Sequence, residues 1–290
     1  MDMTDDYHPP LALTILAGIF LALGAICMLI ITVDIIWRRG WRSMMWIMIP
    51  VYIINAGYVG PLTLYLYFKY GRPSKPDPSK PAQTSSHCHA PEKPVDIENE
   101  GGDVPDPSLH DHHHEGYHEG HREPHQEDQH AAHHHHHHTA SRPLLATVLI
   151  GVSHCGAGCV LGDLVGEWLV YGTNATINGQ GIWAELLIDY GFALLFGILF
   201  QYFSIAPMSG QYGPVSVWRA AKADVLSLTS FEIGAFGWMV AYQVGIWGYR
   251  LEMTTWTYWW MMQVGMALGV VTATPVNFWL IGKGIKEPCA

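Results

Sequence analysis

Basic residues are scarce and scattered: the 290-residue chain has 15 lysines and arginines in all. A nucleic-acid partner needs a basic patch or stripe, so that class is excluded. Cysteine is sparse too. Of the five, Cys27, Cys155 and Cys159 lie in apolar runs, Cys88 in a polar stretch and Cys289 at the tail, which is no secreted disulfide framework. No nucleotide-binding motif occurs, so no nucleotide cofactor is expected. The first apolar run lacks a basic leader and a small-residue cleavage site and is too long for a signal-peptide core. It reads as a retained span.

Apolar sequence is abundant instead, at 49% of the chain. Six runs, about 11–37, 44–68, 144–170, 182–207, 225–249 and 258–281, are long and apolar enough to cross a bilayer. The expected fold is all-α integral membrane, with about six transmembrane helices in a two-plus-four arrangement, split by a disordered His-rich loop. Its parts are a two-helix membrane unit (1–69), the loop (70–142) and a four-helix membrane core (143–290). The loop is rich in Pro, Gly, Ser, Asp, Glu and His and has almost no large aliphatic residue, so it has no means of burying a core.

Sixteen of the 18 histidines fall between His87 and His138. They include His112, His113 and His114, and the run His133, His134, His135, His136, His137 and His138. That run is internal and continues a His-rich stretch upstream, so it reads as native rather than as a purification tag. Neutral imidazoles bind zinc, copper or nickel without requiring a fold. The balance of Lys and Arg near the span ends favours both termini and this loop in the cytosol, with the Arg38-Arg39 cluster dissenting. Asn174-Ala-Thr176, a glycosylation acceptor, then faces the lumen or exterior.

The most informative segment is Ser153-His-Cys-Gly-Ala-Gly-Cys-Val-Leu-Gly-Asp-Leu-Val-Gly-Glu167. Cys155, Cys159, Asp163 and Glu167 recur every four residues and form one helical stripe. Gly158, Gly162 and Gly166 form a second stripe with small-xxx-small spacing. That stripe reads as a packing face, and it also offers a homo-oligomer contact. Ionisable groups in hydrocarbon are expensive and mark a pathway or a bound ion. Span four carries Glu185 and Asp189, span five Asp224 and Glu232, and span six Asn277 just after Pro275. Met262 and Met266, beside Trp259 and Trp260, read as lipid-facing or interfacial. Carboxylates thus lie toward the outside, soft sulfur and His154 near the midplane, and another carboxylate, Asp224, at the inner mouth. Thiolate, thioether and imidazole favour copper or zinc over harder ions.

Over about 142–288 the chain resembles a widespread family of polytopic membrane proteins catalogued as a domain of unknown function. The likeness rests on His154-Cys-Gly-Ala-Gly-Cys159 with Gly162-Asp163 and Gly166-Glu167-Trp168, and on Gly191-Phe-Ala-Leu-Leu-Phe-Gly197. Further matches are Gln201-Tyr202-Phe203, Ala206-Pro207-Met208, Lys222-Ala-Asp224, Leu226-Ser-Leu-Thr229, Glu232 with Gly237-Trp238-Met239, Pro275-Val-Asn277 and Gly284-Ile-Lys-Glu287. The resemblance implies a membrane fold and no chemistry. The His-rich loop looks like the cytosolic loops of ZIP-type and cation-diffusion-facilitator zinc transporters. The His-x-x-x-Asp and His-Glu-x-x-His helix signatures of those families are missing.

The expected function is a transition-metal (copper or zinc) transporter or metal-handling membrane protein. Asp163, Glu167 and Asp189 would attract the ion, His154, Cys155 and Cys159 would bind it, and Glu232 with Asn277 would pass it inward. The cytosolic histidines would buffer it. Two rivals share these residues. One is a membrane-embedded enzyme acting on a lipid or secondary metabolite. The other is an assembly or scaffold subunit, in which Cys155→Ser would be silent and Gly162→Leu disruptive.

Overall fold

The computed structural model describes residues 9–40, 44–72, 142–210 and 212–286, which are almost wholly helical, with no β-strand among them. Six helices are long and apolar enough to cross a membrane: α1 (Leu11–Arg39), α2 (Met48–Gly71), α3 (Leu144–Thr173), α4 (Gly181–Pro207), α5 (Pro214–Ile246) and α6 (Trp256–Gly282). The fold is therefore the expected all-α membrane architecture. Residues 73–141 of the His-rich segment, including His112 to His114 and His133 to His138, lie outside the described residues.

Local chemistry sets the helix ends. Pro214 sits at the first position of α5, where its missing N–H has no partner to lose, and Gly213 before it adopts φ +128°. This start lies well before the expected 225, because Trp218, Arg219 and Lys222 dilute the hydropathy of a turn that is helical all the same. Asn174 closes α3 in the left-handed region at φ +51° and is exposed. Pro61 follows a break at Val59 (φ −118°, ψ 39°), so α2 is kinked. The last turn of α1, Asp34–Arg39, widens to π-helical geometry.

α3 is the central helix: 61% of its most apolar window is buried, against 22% for α1. α1 instead turns Leu11, Ile15, Ile19 and Leu29 outward, an apolar face suited to lipid. The glycine stripe of α3 faces α4 of the same chain. A Cβ on Gly158 would lie 2.6 Å from the Gly197 Cα, and one on Gly162 would lie 2.6 Å from the Ala193 Cα. Only hydrogen fits there, so the face expected to serve an oligomer is covered within the chain. α2 joins α3 through Asn55, whose Nδ2 donates to the Ser153 carbonyl at 2.8 Å. α6 joins α2 through Gln263 Nε2, 2.6 Å from the Gly57 carbonyl. Where α1 meets α2, Arg72 donates to both oxygens of buried Asp34, at 3.0 and 2.6 Å, and the Tyr67 hydroxyl donates to it at 2.9 Å.

Candidate functional site

Two polar clusters lie inside the α3–α6 unit, both built on the four-residue stripe of α3. In the first, Asp163 and Glu167 of α3 face Asp189 of α4 and Glu232 of α5. Each is at most 2% exposed. Gly166 brings α4 so close that the Asp189 carboxylate occupies the space a Cβ there would need. All eight carboxylate oxygens lack a hydrogen bond of good geometry, although Cys159 lies beside Glu232 and the Tyr258 ring beside Glu167. Among the described residues, no lysine or arginine pairs with any of them. Half-buried Glu185 adds a fifth acid near Glu167 and Asp189.

Thioethers flank this cluster. Asp163 lines a narrow recess with Met239, Tyr242, Met261, Met262 and Met266, and the Tyr242 hydroxyl donates to the Met262 sulfur at 3.4 Å. Met262 and Met266 are 8% and 5% exposed, so they face the core and not lipid. The periodicity of α6 permitted either face. Packing of α6 on α5, where Gly269 admits the Phe231 ring, selects the inward one.

The second cluster centres on Cys155, and here every charge is balanced. Its thiol donates to Asp224 Oδ1 at 2.9 Å and lies 2.8 Å from the Ser227 hydroxyl. Lys286, just past α6, extends its ammonium to Asp224 Oδ1 (3.0 Å), Cys155 Sγ (3.1 Å) and the Gly151 carbonyl (3.3 Å). Burial opposes that charge, yet the neighbouring Cys155 and Asp224 hold the Lys286 pKa above the ordinary lysine range. Asn277 closes the cluster, donating to the Ser227 hydroxyl at 2.6 Å and to the Ala273 carbonyl at 2.9 Å.

The residues expected to bind the ion at the midplane are thus divided. Cys155 belongs to the Lys286 cluster, beside Asn277, and Cys159 to the carboxylates. His154 is 2% exposed with neither ring nitrogen hydrogen-bonded. Among the described residues, no three His, Cys, Asp or Glu side chains gather closely enough to grip one ion. The roles of Lys286 and the Gly151 carbonyl were not visible in the sequence. Lys286 follows the last apolar run and reads there as a surface charge, and no residue pattern announces that the chain turns back. Gly284, at φ +66°, is the one local hint of that turn.

Fold and clusters together define a multi-pass helical membrane protein with unbalanced carboxylates in its four-helix part. Residues 146–286, which cover both clusters, match the model of a family described as Domain of unknown function (DUF4396). No curated protein and no solved structure matches the chain.

Proposed function

We propose that the protein carries a transition-metal cation, copper or zinc, across a membrane through α3–α6. The observation that carries this reading is the set of four buried carboxylates, Asp163, Glu167, Asp189 and Glu232, with no lysine or arginine paired to them among the described residues. An uncompensated charge in a low-dielectric interior costs several kcal/mol, so such a set persists where protons or a cation neutralise it. Thioethers beside Asp163 and the thiol of Cys159 bias the choice toward soft ions. Cys155, Asp224 and Asn277 continue the polar track along α3, α5 and α6. The His-rich segment from His87 to His138 serves as the metal buffer. With no nucleotide motif in the chain, an ion or proton gradient or a chemical trap drives the movement.

The test is metal flux into proteoliposomes of the full chain, read with an entrapped metal-sensitive dye under imposed pH gradients. Wild type should exceed empty vesicles for copper or zinc, and Asp163→Asn and Glu232→Gln should fall to the empty-vesicle rate. Wild-type flux no greater than that of empty vesicles for both metals would sink the proposal.

One observation favours the second reading, a membrane enzyme. A groove of about 680 Å³ between α4 and α5, lined by Trp183, Leu187, Tyr190, Ile233 and Phe236, reaches Glu232. Such a groove suits an acyl chain with Glu232 as acid or base. Lipid turnover by the purified protein, abolished by Glu232→Gln in the absence of any ion flux, would favour it over transport.

A further inference from the structure

The Lys286 cluster differs from a salt bridge that merely braces two helices. An ammonium has three protons, and here each faces a different kind of acceptor: a carboxylate, a sulfur and a backbone carbonyl. These are donors that a dehydrated cation takes. The surroundings also hold more acceptors than the ammonium uses. Asp224 Oδ2, Asn277 Oδ1 and both nitrogens of His154 are buried without partners. A Cβ on Gly151 would lie 3.9 Å from Lys286 Cε and 4.0 Å from Asn277 Oδ1, so the stem of the lysine and that unused amide oxygen both lie against Gly151.

The tether is short and local. Beyond α6 the chain folds back, with the N–H groups of Ile285 and Lys286 donating to the Leu280 carbonyl at 3.0 and 3.3 Å. Gly284 makes the turn at φ +66°. Breaking these few bonds and the three of the ammonium would let Lys286 withdraw with α6 left in place. It would leave a carboxylate, a thiol and a carbonyl, with an amide oxygen and an imidazole near.

We infer that the Lys286 ammonium is a tethered placeholder in an inner cation site, formed by Asp224, Cys155 and the Gly151 carbonyl, that accepts a soft monovalent metal ion of the Cu(I) class when the lysine withdraws. Charge sets the valence. One ammonium balances one carboxylate. Cysteine ligates as the thiolate, so as the ion enters the Cys155 proton passes to Asp224 Oδ1, which already accepts it at 2.9 Å. Monovalent ion, thiolate and neutral acid then carry the same net charge as ammonium, thiol and carboxylate. A divalent ion does so only if that proton leaves the cluster altogether. Sulfur and imidazole set the softness. The inference rests on reading α3–α6 as a cation path, and it narrows the cargo from two metals to one.

The probe is Ag(I), a redox-stable stand-in for Cu(I), measured as metal bound per full-length chain after equilibrium dialysis in detergent. The His-rich segment is common to all variants and cancels in the differences. Lys286→Leu should bind one more Ag(I) than wild type. Adding Asp224→Asn or Cys155→Ser should abolish the extra ion, and Lys286→Arg should match wild type. Equal binding by Lys286→Leu and wild type overturns the inference. If Lys286→Leu is unstable, its unfolding midpoint in membranes is read with and without Ag(I). Selective rescue by the ion supports the site, and no rescue overturns it. An extra ion in Lys286→Leu without any wild-type flux would defeat transport and leave the site standing. Wild-type flux without the extra ion would defeat the site alone.

Discussion

Replacing Asp163 by leucine separates a cation site from a structural carboxylate. Asp163 is 2% exposed and neither oxygen has a partner. A buried polar group left unsatisfied costs about 1–3 kcal/mol, and Asp163 shares its surroundings with Glu232, Asp189 and Glu167. Leucine has nearly the same shape and removes that penalty, so the metal-free protein should gain about 1–3 kcal/mol. Wild type should recover the difference on binding. A ligand at a hundred times its Kd stabilises the folded state by about 2.7 kcal/mol, and the variant forfeits most of that gain. The order of stability therefore inverts: variant above wild type in chelator, wild type level or above at saturating copper or zinc. Denaturant unfolding of the full chain in mixed micelles, followed by tryptophan fluorescence, reads both conditions, and the His-rich segment contributes equally to both proteins. A variant less stable than wild type in chelator would refute the reasoning, as would equal stabilisation of the two by metal.

Three further outcomes follow from the geometry. Gly162→Val forces α3 from Ala193 of α4; overpacking of this kind costs about 1–3 kcal/mol, and a lowered unfolding midpoint with lost flux is expected, whereas Gly172→Val, with open space around its Cα, should be neutral. Asp34→Asn loses the charge held by the Arg72 fork and the Tyr67 hydroxyl and should destabilise by about 1.5 kcal/mol, with flux per folded molecule unchanged because α1 carries none of the cluster residues. Asn174, exposed at the end of α3, should acquire a glycan in a glycosylating host, seen as a gel shift that Asn174→Gln removes; an unshifted wild type would contradict the assigned orientation.

Most of the architecture was legible because each step needs only local information. A run of about 20 apolar residues has one way to satisfy its backbone in lipid, as a helix. The four-residue recurrence from Cys155 to Glu167 fixed a shared face before any neighbour was known. Which neighbour each turn of that face meets was not legible. Cys155 and Cys159 are one turn apart and chemically identical in the sequence, yet one meets Asp224 and Lys286 and the other Glu232 and Asp163. That outcome depends on the start of α5 at Pro214, which brings Asp224 level with Cys155, and on the reversal after α6. Both are set by tertiary packing. The inward turn of Met262 and Met266 was hidden for the same reason: helical period defines a face, and only a partner says which way it points.

If α3–α6 carry a cation as proposed, the contrast between the clusters bears on how it advances. In the outer one, no lysine or arginine among the described residues stands against the four acids, so a cation arriving there takes the place of protons and not of a fixed counter-ion. In the inner one the counter-ion is already present, so an arriving cation must displace an ammonium that all three of its acceptors hold. On the proposed reading, filling the outer cluster displaces no tethered charge, and displacing Lys286 is the step that opposes advance. A carrier built this way is limited at its inner end. Lys286→Leu should then raise the rate of metal movement while leaving the apparent affinity set by Asp163 and Asp189 unchanged. A variant that changes affinity and leaves the maximal rate alone would mean that Lys286 acts on the outer carboxylates through the field of α3, and the two clusters would have to be treated as one.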